Sequence, residues 1–168
     1  MNKKDQQVKF YRFSEDEDDV FVRFYPFGVH AGNPVGTGED TGEGVSLMEL
    51  FVPDRASCCA MEVQGDSMKD ANVFPGDYVV IDTSAHVQDG DMVVAQIDGE
   101  YTIKYYYNDT EEEVVKLFPA NDKYNMIVVG PGNQFRVVGV VLNIHSTIKR
   151  RDLKMLGTLK KEQDKIKG

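Results

Sequence analysis

Hydrophobic and polar residues alternate through the middle of the chain with the period of two that is typical of half-buried β-strands. Helical periodicity is almost absent there, and Gly, Asn and Asp residues separate the runs. The predicted strands cover residues 56–64, 76–82, 112–120, 126–130 and 135–145, together with a hairpin over residues 89–107 that turns at Asp98-Gly99-Glu100. This pattern predicts a mainly β domain, built as a barrel or a sandwich.

The N-terminal region is patterned differently. Residues 20–27 predict a short strand, whereas residues 28–45 are so rich in glycine that neither a helix nor a regular strand is expected there. We therefore predict a flexible N-terminal arm over residues 1–45. Residues 45–52 predict either a turn of helix or an edge strand, which Pro53 ends.

At the other end of the chain, leucines recur at the spacing of one helical face, so we predict a helical C-terminal tail over residues 149–168. The β-rich domain is then expected to occupy residues 46–148. The tail carries eight Lys/Arg and three Asp/Glu residues. Two interpretations are open for it: a solvated basic helix that packs one apolar stripe on the body or on a partner, or a segment that binds phosphate groups.

Charge is distributed unevenly along the 168 residues. The net charge is −9, and since the tail contributes +5, residues 1–148 carry −14. An acidic run at residues 14–19 contributes to this excess. An acidic body disfavours broad binding of nucleic acid, so no direct sequence-specific DNA binding is expected.

The composition also bears on the compartment. No stretch approaches the roughly 20 apolar residues that span a bilayer, and the N-terminus lacks the apolar core of a secretory signal. We therefore expect a cytoplasmic protein that does not contact a membrane. Cys58 and Cys59 are adjacent in a predicted strand, which indicates buried free thiols on opposite faces.

Candidate chemistry centres on Ser67, in the short stretch Gly65-Asp66-Ser67-Met68. A serine hydroxyl is a poor nucleophile at neutral pH and needs a general base within hydrogen-bond reach. No recognisable triad motif joins the serine to a histidine, although the chain has three: His30, His86 and His145. A lysine can serve instead if burial holds its amine neutral.

Lys104 is the candidate base, because it lies in a predicted strand of apolar and aromatic residues. Strand alternation places it on the same face as Thr102 and Tyr106. The opposite face carries Tyr101, Ile103 and Tyr105. Two interpretations are open for this lysine: a buried general base, or an edge-strand lysine that points into water and protects against aggregation.

Several short motifs within residues 27–145 resemble, in order and in separation, those of the LexA/UmuD-type Ser-Lys autoprotease family, peptidase S24. They are G-D-S-M at residues 65–68, P-G-D at residues 75–77, the D-G-E turn at residues 98–100 that leads to Lys104, and P-A-N at residues 119–121. The separation of 37 positions between the serine and the lysine also agrees with the family. The resemblance implies the compact, β-barrel or sandwich-like catalytic domain of LexA and UmuD.

The resemblance implies a role for each residue. Ser67 would be the nucleophile and Lys104 the neutral general base, and the backbone N–H groups of Ser67 and Met68 would hold the oxyanion. The Met68 side chain is expected to pack, and Asp66 to shape the turn. The implied activity is that of an autocatalytic serine endopeptidase, a hydrolase that needs neither a cofactor nor a metal ion.

In this family the substrate is a peptide bond of the protein's own N-terminal segment, of the Ala-Gly or Cys-Gly type. Ala31-Gly32 lies in the glycine-rich segment, 36 positions before Ser67, an offset that also resembles the family. A small residue before the bond suits a narrow pocket, and tethering makes the attack intramolecular, within one subunit or across a dimer. Taken alone, an Ala-Gly pair in such a segment would be interpreted as part of a solvent-exposed linker.

Within the family the resemblance is closest to UmuD, because only about 30 residues precede the Ala31-Gly32 bond, too few for a helix-turn-helix domain. It implies a homodimer that is activated by RecA filaments on single-stranded DNA in the SOS response to DNA damage. The processed form would assist an UmuC-like Y-family DNA polymerase in translesion synthesis, and hence in DNA repair and SOS mutagenesis.

Two other interpretations are open: a prophage or mobile-element LexA-like regulator that lacks its DNA-binding domain, and a non-catalytic dimerisation module. A signal peptidase also uses a Ser-Lys pair, but it needs a membrane anchor, which the sequence is not expected to supply.

Overall fold

The computed structural model describes residues 10–13, 21–24 and 43–146. The strands within these ranges are β1 (Phe10–Arg12), β2 (Phe21–Phe24), β3 (Glu43–Ser46), β4 (Cys58–Glu62), β5 (Tyr78–Asp82), β6 (Met92–Ile97), β7 (Glu100–Asp109), β8 (Val114–Phe118), β9 (Ile127–Val129) and β10 (Phe135–His145). Helical structure in the described part of the chain is limited to α1 (Leu47–Phe51) and a 3-10 turn (Lys69–Ala71).

Eight strands form one antiparallel sheet in the order β1-β4-β5-β10-β6-β7-β8-β9. Strands β2 and β3 pair with each other in a separate two-stranded sheet. Neighbours in the large sheet follow the chain order except for β10, which lies between β5 and β6. The predicted mainly β fold is therefore confirmed.

Both faces of the large sheet are covered by apolar side chains. In β6, Met92 and Val94 pack with a first cluster, while Val93 and Ala95 pack with a second. Because successive residues of a strand point to opposite faces, residues 92–95 of this strand are apolar at every position rather than alternating. The first cluster is the one that reaches the predicted site, since it includes Met68.

The two cysteines are buried and free, as predicted. Cys59 packs in the first cluster, whereas Cys58 packs in a third cluster with Val52 and Val80. The two thiols therefore lie on opposite faces of β4, and burial raises the pKa of Cys59.

Gly139 lets β10 approach β5 closely. A Cβ atom at this position would lie 2.7 Å from the Asp82 carbonyl oxygen and 3.1 Å from the Ile81 Cδ1 atom. The register of β10 shifts between Val137 and Gly139. A side chain here would therefore push the central strand away from its neighbour.

Two predictions made from local sequence are confirmed, one for a hairpin turn and one for residues 45–52. Asp98 and Gly99 both have positive φ, 49° and 87°, as a tight two-residue hairpin turn requires. Residues 45–52, predicted as either a helical turn or an edge strand, contain the end of β3 and then α1. The Ser46 hydroxyl caps this helix by accepting from the Glu49 N–H at 3.3 Å.

Two elements of the N-terminal region differ from the prediction. The prediction that residues 28–45 contain no regular strand is wrong for the last residues of that range, because β3 begins at Glu43 and pairs there with β2. Backbone hydrogen bonds to β2 offset the low strand preference of Gly44. Strand β1 has only three residues, too few for a periodic pattern, and it forms by pairing with β4.

Several predicted features lie outside the described residues: His30, Ala31, Gly32, the acidic run at residues 14–19 and the tail over residues 149–168. The predicted boundaries of the arm, the β-rich domain and the tail stay predictions. In the described part of the chain, no helix is both long and apolar enough to cross a membrane.

Candidate active site

Ser67 lies in the loop that links β4 to the 3-10 turn. Gly65 has a φ of 83°, a left-handed conformation that residues with a side chain rarely adopt, and it turns the chain away from the strand. Met68 is 3 % exposed and packs in the first cluster, as predicted. Its carbonyl oxygen accepts from the N–H groups of Ala71 and Val73, at 3.0 and 3.2 Å. Since Ser67 itself is half-buried, the loop fixes a hydroxyl that a substrate can still reach.

The loop that follows β8 holds the serine loop in place. Asn121 is 3 % exposed, and its Nδ2 donates to the Asp66 carbonyl oxygen at 2.8 Å. Tyr124 donates its hydroxyl to the Asp66 carboxylate, which lowers the pKa of Asp66. The Asp70 N–H donates to the Ala120 carbonyl oxygen at 2.8 Å. Asp66 therefore shapes the turn, as predicted, through contacts with a distant loop.

Lys104 lies in the interior of the large sheet, on β7, between β6 and β8. It is 5 % exposed, and the residue opposite it on β6 is the fully buried Val93. The interpretation of Lys104 as an edge-strand lysine in water is therefore wrong. The predicted alternation along β7 is confirmed, since Tyr101, Ile103 and Tyr105 pack against the first cluster while Lys104 contacts Thr102.

The amine of Lys104 contacts three oxygen atoms. Ser67 Oγ, Thr102 Oγ1 and the Ile103 carbonyl oxygen each lie 2.8 Å from Lys104 Nζ. Among the described residues, no carboxylate forms an ion pair with this amine. Because burial disfavours the charged form and no counter-ion offsets it, the pKa of Lys104 falls from 10.5 to about 8.

The three oxygen partners suit an uncharged amine, which has two N–H donors and one lone pair. The Ile103 carbonyl oxygen can only accept, and Thr102 Oγ1 can accept the second N–H. The lone pair is then left for the hydroxyl hydrogen of Ser67. In the neutral state of Lys104, this arrangement can carry the serine proton to the lysine.

Two backbone donors lie next to the serine. Within the described residues, the backbone N–H groups of Ser67 and Met68 donate to no protein acceptor. An oxygen that carries negative charge in a tetrahedral intermediate needs such preorganised donors. The predicted role of these two groups stays a prediction that the geometry permits.

The histidines do not form part of this site in the region that the structure describes. His86 is exposed. His145 packs edge-on against Phe51, with ring centroids 4.8 Å apart. Neither donates to nor accepts from Ser67 within the described residues, so Lys104 is the basic side chain that the structure brings to the serine. No group of three or more side chains suited to a metal ion occurs in the same residues.

Three residues of the site have no role predicted from the sequence: Thr102, Asn121 and Tyr124. A signal for Thr102 was present, because strand alternation puts it on the face of Lys104. Asn121 lies in the P-A-N motif, but its contact with Asp66 joins residues 55 positions apart, which no local pattern indicates. The contact of Tyr124 with Asp66 spans 58 positions and is equally hidden.

The segment that contains Ala31 and Gly32 is attached at two adjacent points. Strands β2 and β3 are antiparallel, and Phe24 is paired with Glu43. Residues 25–42 therefore leave the described structure and re-enter it at neighbouring positions. The predicted cleavage site is tethered to paired strands on both sides.

Comparison with known proteins identifies a family and several relatives. A family described as Peptidase S24-like matches residues 24–142. The LexA repressor of Magnetococcus marinus is 48% identical over 119 residues, which cover 69% of this chain and 48% of that protein. LexA repressors of Carboxydothermus hydrogenoformans and Oleidesulfovibrio alaskensis are 31% and 36% identical, over 69% and 68% of this chain and 55% and 54% of their own lengths. The chain thus spans about half the length of the curated relatives that it matches.

Proposed function

Because this chain belongs to the Peptidase S24-like family, we propose that it is a self-cleaving serine endopeptidase in which Ser67 attacks the Ala31-Gly32 bond and neutral Lys104 is the general base. One observation carries the proposal. A lysine that is 5 % exposed and lacks a carboxylate partner among the described residues lies 2.8 Å from the hydroxyl of a half-buried serine. An amine whose pKa is lowered to about 8 is neutral often enough near pH 7 to accept a proton.

The reaction begins when Ser67 Oγ attacks the carbonyl carbon of Ala31. The hydroxyl proton moves to Lys104 Nζ, and the bond from Oγ to carbon forms. The intermediate then collapses, the bond to the Gly32 nitrogen breaks, and Lys104 returns its proton to the leaving amine. Water then attacks the resulting ester on Ser67 while the neutral lysine takes a proton from it. The bond from Oγ to the Ala31 carbon breaks, Lys104 returns the proton to Ser67 Oγ, and Ala31 leaves as the new carboxylate terminus.

The negative oxygen of each tetrahedral intermediate is held by the backbone N–H groups of Ser67 and Met68. These donors are supported in this role by the burial of Met68 and by the hydrogen bonds that fix its carbonyl oxygen. Rigid donors cost no reorganisation when charge develops, which is the main source of their effect on rate.

The arm is the substrate because it is tethered and because its sequence is suitable. The side chain of Ala31 is a single methyl group, which suits a narrow pocket, and a glycine at position 32 tolerates a bend toward the serine. Tethering of residues 25–42 at both ends replaces much of the entropic cost of a bimolecular encounter.

Intact mass spectrometry tests this function. The wild-type chain is incubated at about pH 9 beside Ser67→Ala and Lys104→Met. We expect a new species that begins at Gly32 in the wild type alone. Cleavage that persists in Ser67→Ala, or a cut at another bond, would refute the assignment of nucleophile or of substrate.

For the cellular role we propose a place in the SOS response in the cytoplasm, with a RecA filament on single-stranded DNA as the activator of a homodimer. The support is the name of the relatives, which are LexA repressors. Addition of RecA, ATP and single-stranded DNA at pH 7 should accelerate the appearance of the species that begins at Gly32. An unchanged rate would argue against this activator.

Two finer roles fit a processed protein of this family. The names of the relatives favour a LexA-type regulator, whereas the resemblance of the motifs implies an UmuD-like form that assists a Y-family polymerase. The two roles predict different partners. Binding of an UmuC-like polymerase that is gained on cleavage would support the UmuD-like role, and no binding of such a polymerase before or after cleavage would support the regulator.

A further inference from the structure

The two described strands that precede the predicted cleavage site pair with strands that follow it. Strand β1 pairs with β4 through Phe10↔Met61, Tyr11↔Ala60 and Arg12↔Cys59. Strand β2 pairs with β3 over its four residues. A cut anywhere in residues 25–42 therefore places β1 and β2 on one fragment and their partners β4 and β3 on the other. Hydrolysis removes the covalent link and leaves both sets of backbone hydrogen bonds intact.

From this topology we infer that the N-terminal arm remains bound after cleavage as a two-strand clip, with β1 on the edge of β4 and β2 on β3, and that its departure is a separate step. The inference rests on the proposed function in one respect only, namely that the chain is cut within residues 25–42. Directly after cleavage, the protein is a complex of the arm and the body. It becomes free of the arm only in a later step.

Aromatic contacts hold β1 on the sheet in addition to its backbone pairing. The Phe10 ring lies edge-on to Tyr101, with centroids 5.3 Å apart, and the Tyr11 ring lies edge-on to Tyr78 at 6.0 Å. Such pairs add stability beyond the area that they bury. Phe10 and Tyr11 are 42 % and 43 % exposed, so each side chain is partly covered.

The clip has two attachments, and this is what makes it slow to leave. Three or four residues of strand bind weakly by themselves, but residues 13–20 join β1 to β2. When one strand detaches, the other holds it at high local concentration, so the pair binds about 10²- to 10⁴-fold more tightly than either strand alone. A substitution that weakens the binding of one strand should therefore strongly increase the rate at which the arm is released.

The departure of the arm also uncovers the edge of β4. Within the large sheet, β4 has β5 on one side and β1 on the other. Its residues Cys58, Cys59 and Met61 are buried, and an unpaired apolar edge invites pairing with another strand.

An externally cut protein tests the inference independently of self-cleavage. In full-length Ser67→Ala, residues 34–40 are replaced by the recognition sequence of a site-specific protease, and the chain is cut with that protease. We expect the arm to co-elute with the body on size exclusion and to appear with it in native mass spectrometry. Hydrogen exchange of the β4 amides should be the same before and after the cut.

The aromatic contacts are then removed with Phe10→Asp/Tyr11→Asp, and release of the arm should accelerate at least about 100-fold. The matched control is Tyr107→Asp, which is equally exposed at 43 % but lies on β7 against Phe118 rather than against β1. Unchanged exchange of the β6 amides in each uncut variant verifies that the domain is folded.

Two results would overturn the clip. One is loss of the arm within the dead time of the assay from the protein with native Phe10 and Tyr11, and the other is equal release rates for the double variant and the Tyr107→Asp control. Self-cleavage of the chain with native Ser67 is measured separately, so a failure of the proposed function and a failure of the clip remain distinguishable.

Discussion

Lys104 Nζ lies 2.8 Å from Ser67 Oγ, although the two residues are 37 positions apart and one lies in a loop and the other in the interior of a sheet. Burial lowers the pKa of the lysine to about 8, and in the neutral state of the lysine the contact lets its lone pair accept from the serine hydroxyl. The proximity and the pKa together support a base that is neutral near physiological pH, and they have consequences for stability as well as for chemistry.

Replacing Lys104 should stabilise the protein at neutral pH. Its folded pKa of about 8 is below the ordinary 10.5, so the charged lysine is disfavoured in the fold. This cost is present in full below pH 8 and disappears as the pH rises through 10.5. In a Ser67→Ala background, Lys104→Met should raise the free energy of unfolding at pH 7 by about 2 to 3 kcal/mol. Urea unfolding from pH 7 to pH 10 should show the difference shrinking with pH.

Lys116 provides the control for that measurement. It also lies in a strand, but it pairs with Asp109 at 2.7 Å and with Glu112 at 2.8 Å, so its pKa is raised rather than lowered. Lys116→Met should bring no gain at pH 7. A destabilised Lys104→Met, or a difference from the parent that does not change with pH, would contradict the account of Lys104.

Thr102 should act as a positioning residue for the base. Its Oγ1 atom accepts from Lys104 Nζ at 2.8 Å, and Thr102→Val keeps the shape but removes the acceptor. We expect self-cleavage to slow about 10- to 100-fold, because the lysine is less well directed. The pH at which the cleavage rate levels off should fall, because loss of the acceptor destabilises the charged amine of Lys104 more than the neutral amine. Thr102→Ser should restore both, and an unshifted inflection would indicate a structural role only.

Asn121 should matter for both stability and cleavage, because it holds the serine loop. Asn121→Ala leaves the Asp66 carbonyl oxygen without its 2.8 Å donor and should cost about 1 to 3 kcal/mol in the free energy of unfolding. The same substitution should slow self-cleavage by about tenfold or more. Asn133→Ala removes a comparable bond to Asp98 at the exposed hairpin turn and should leave the cleavage rate unchanged. Equal effects of the two variants on cleavage would argue against the anchoring role.

Gly139 should tolerate no side chain. In Gly139→Ala the new methyl group would meet the Asp82 carbonyl oxygen at 2.7 Å, so the free energy of unfolding should fall by about 1 to 3 kcal/mol. Gly132→Ala is the matched control, because a Cβ atom there has no neighbour within 4 Å. Chemical denaturation of both variants measures the difference, and a neutral Gly139→Ala would mean that β10 can shift away from β5.

The sequence predicts the local parts of this structure well, for physical reasons. The Asp98-Gly99 turn needs residues that tolerate positive φ, and the alternation along β7 follows from the pleat of any strand. The mainly β class, the hairpin and the face of Lys104 can therefore be predicted. Strands β1 and β3 could not, because each forms only by pairing with a partner that propensity does not reveal.

The candidate site also has parts that the sequence predicts and parts that it does not. The sequence alone left Lys104 open between a buried base and an exposed edge lysine, because burial depends on β8 covering the other side of β7. The roles of Asn121 and Tyr124 depend on contacts across 55 and 58 positions. Resemblance to a family supplied the pairing of Ser67 with Lys104, and the distance between them is a result of the fold.

The central claim, that neutral Lys104 takes the proton of Ser67, is tested most directly by the first-order rate of appearance of the Gly32 N-terminus between about pH 6 and pH 10. With a pKa of about 8, roughly a tenth of the lysine is neutral at pH 7. The rate should rise about tenfold per pH unit below pH 8 and level off above it. A rate that does not change with pH, or one that levels off near the ordinary pKa of histidine, about 6.5, would contradict the claim.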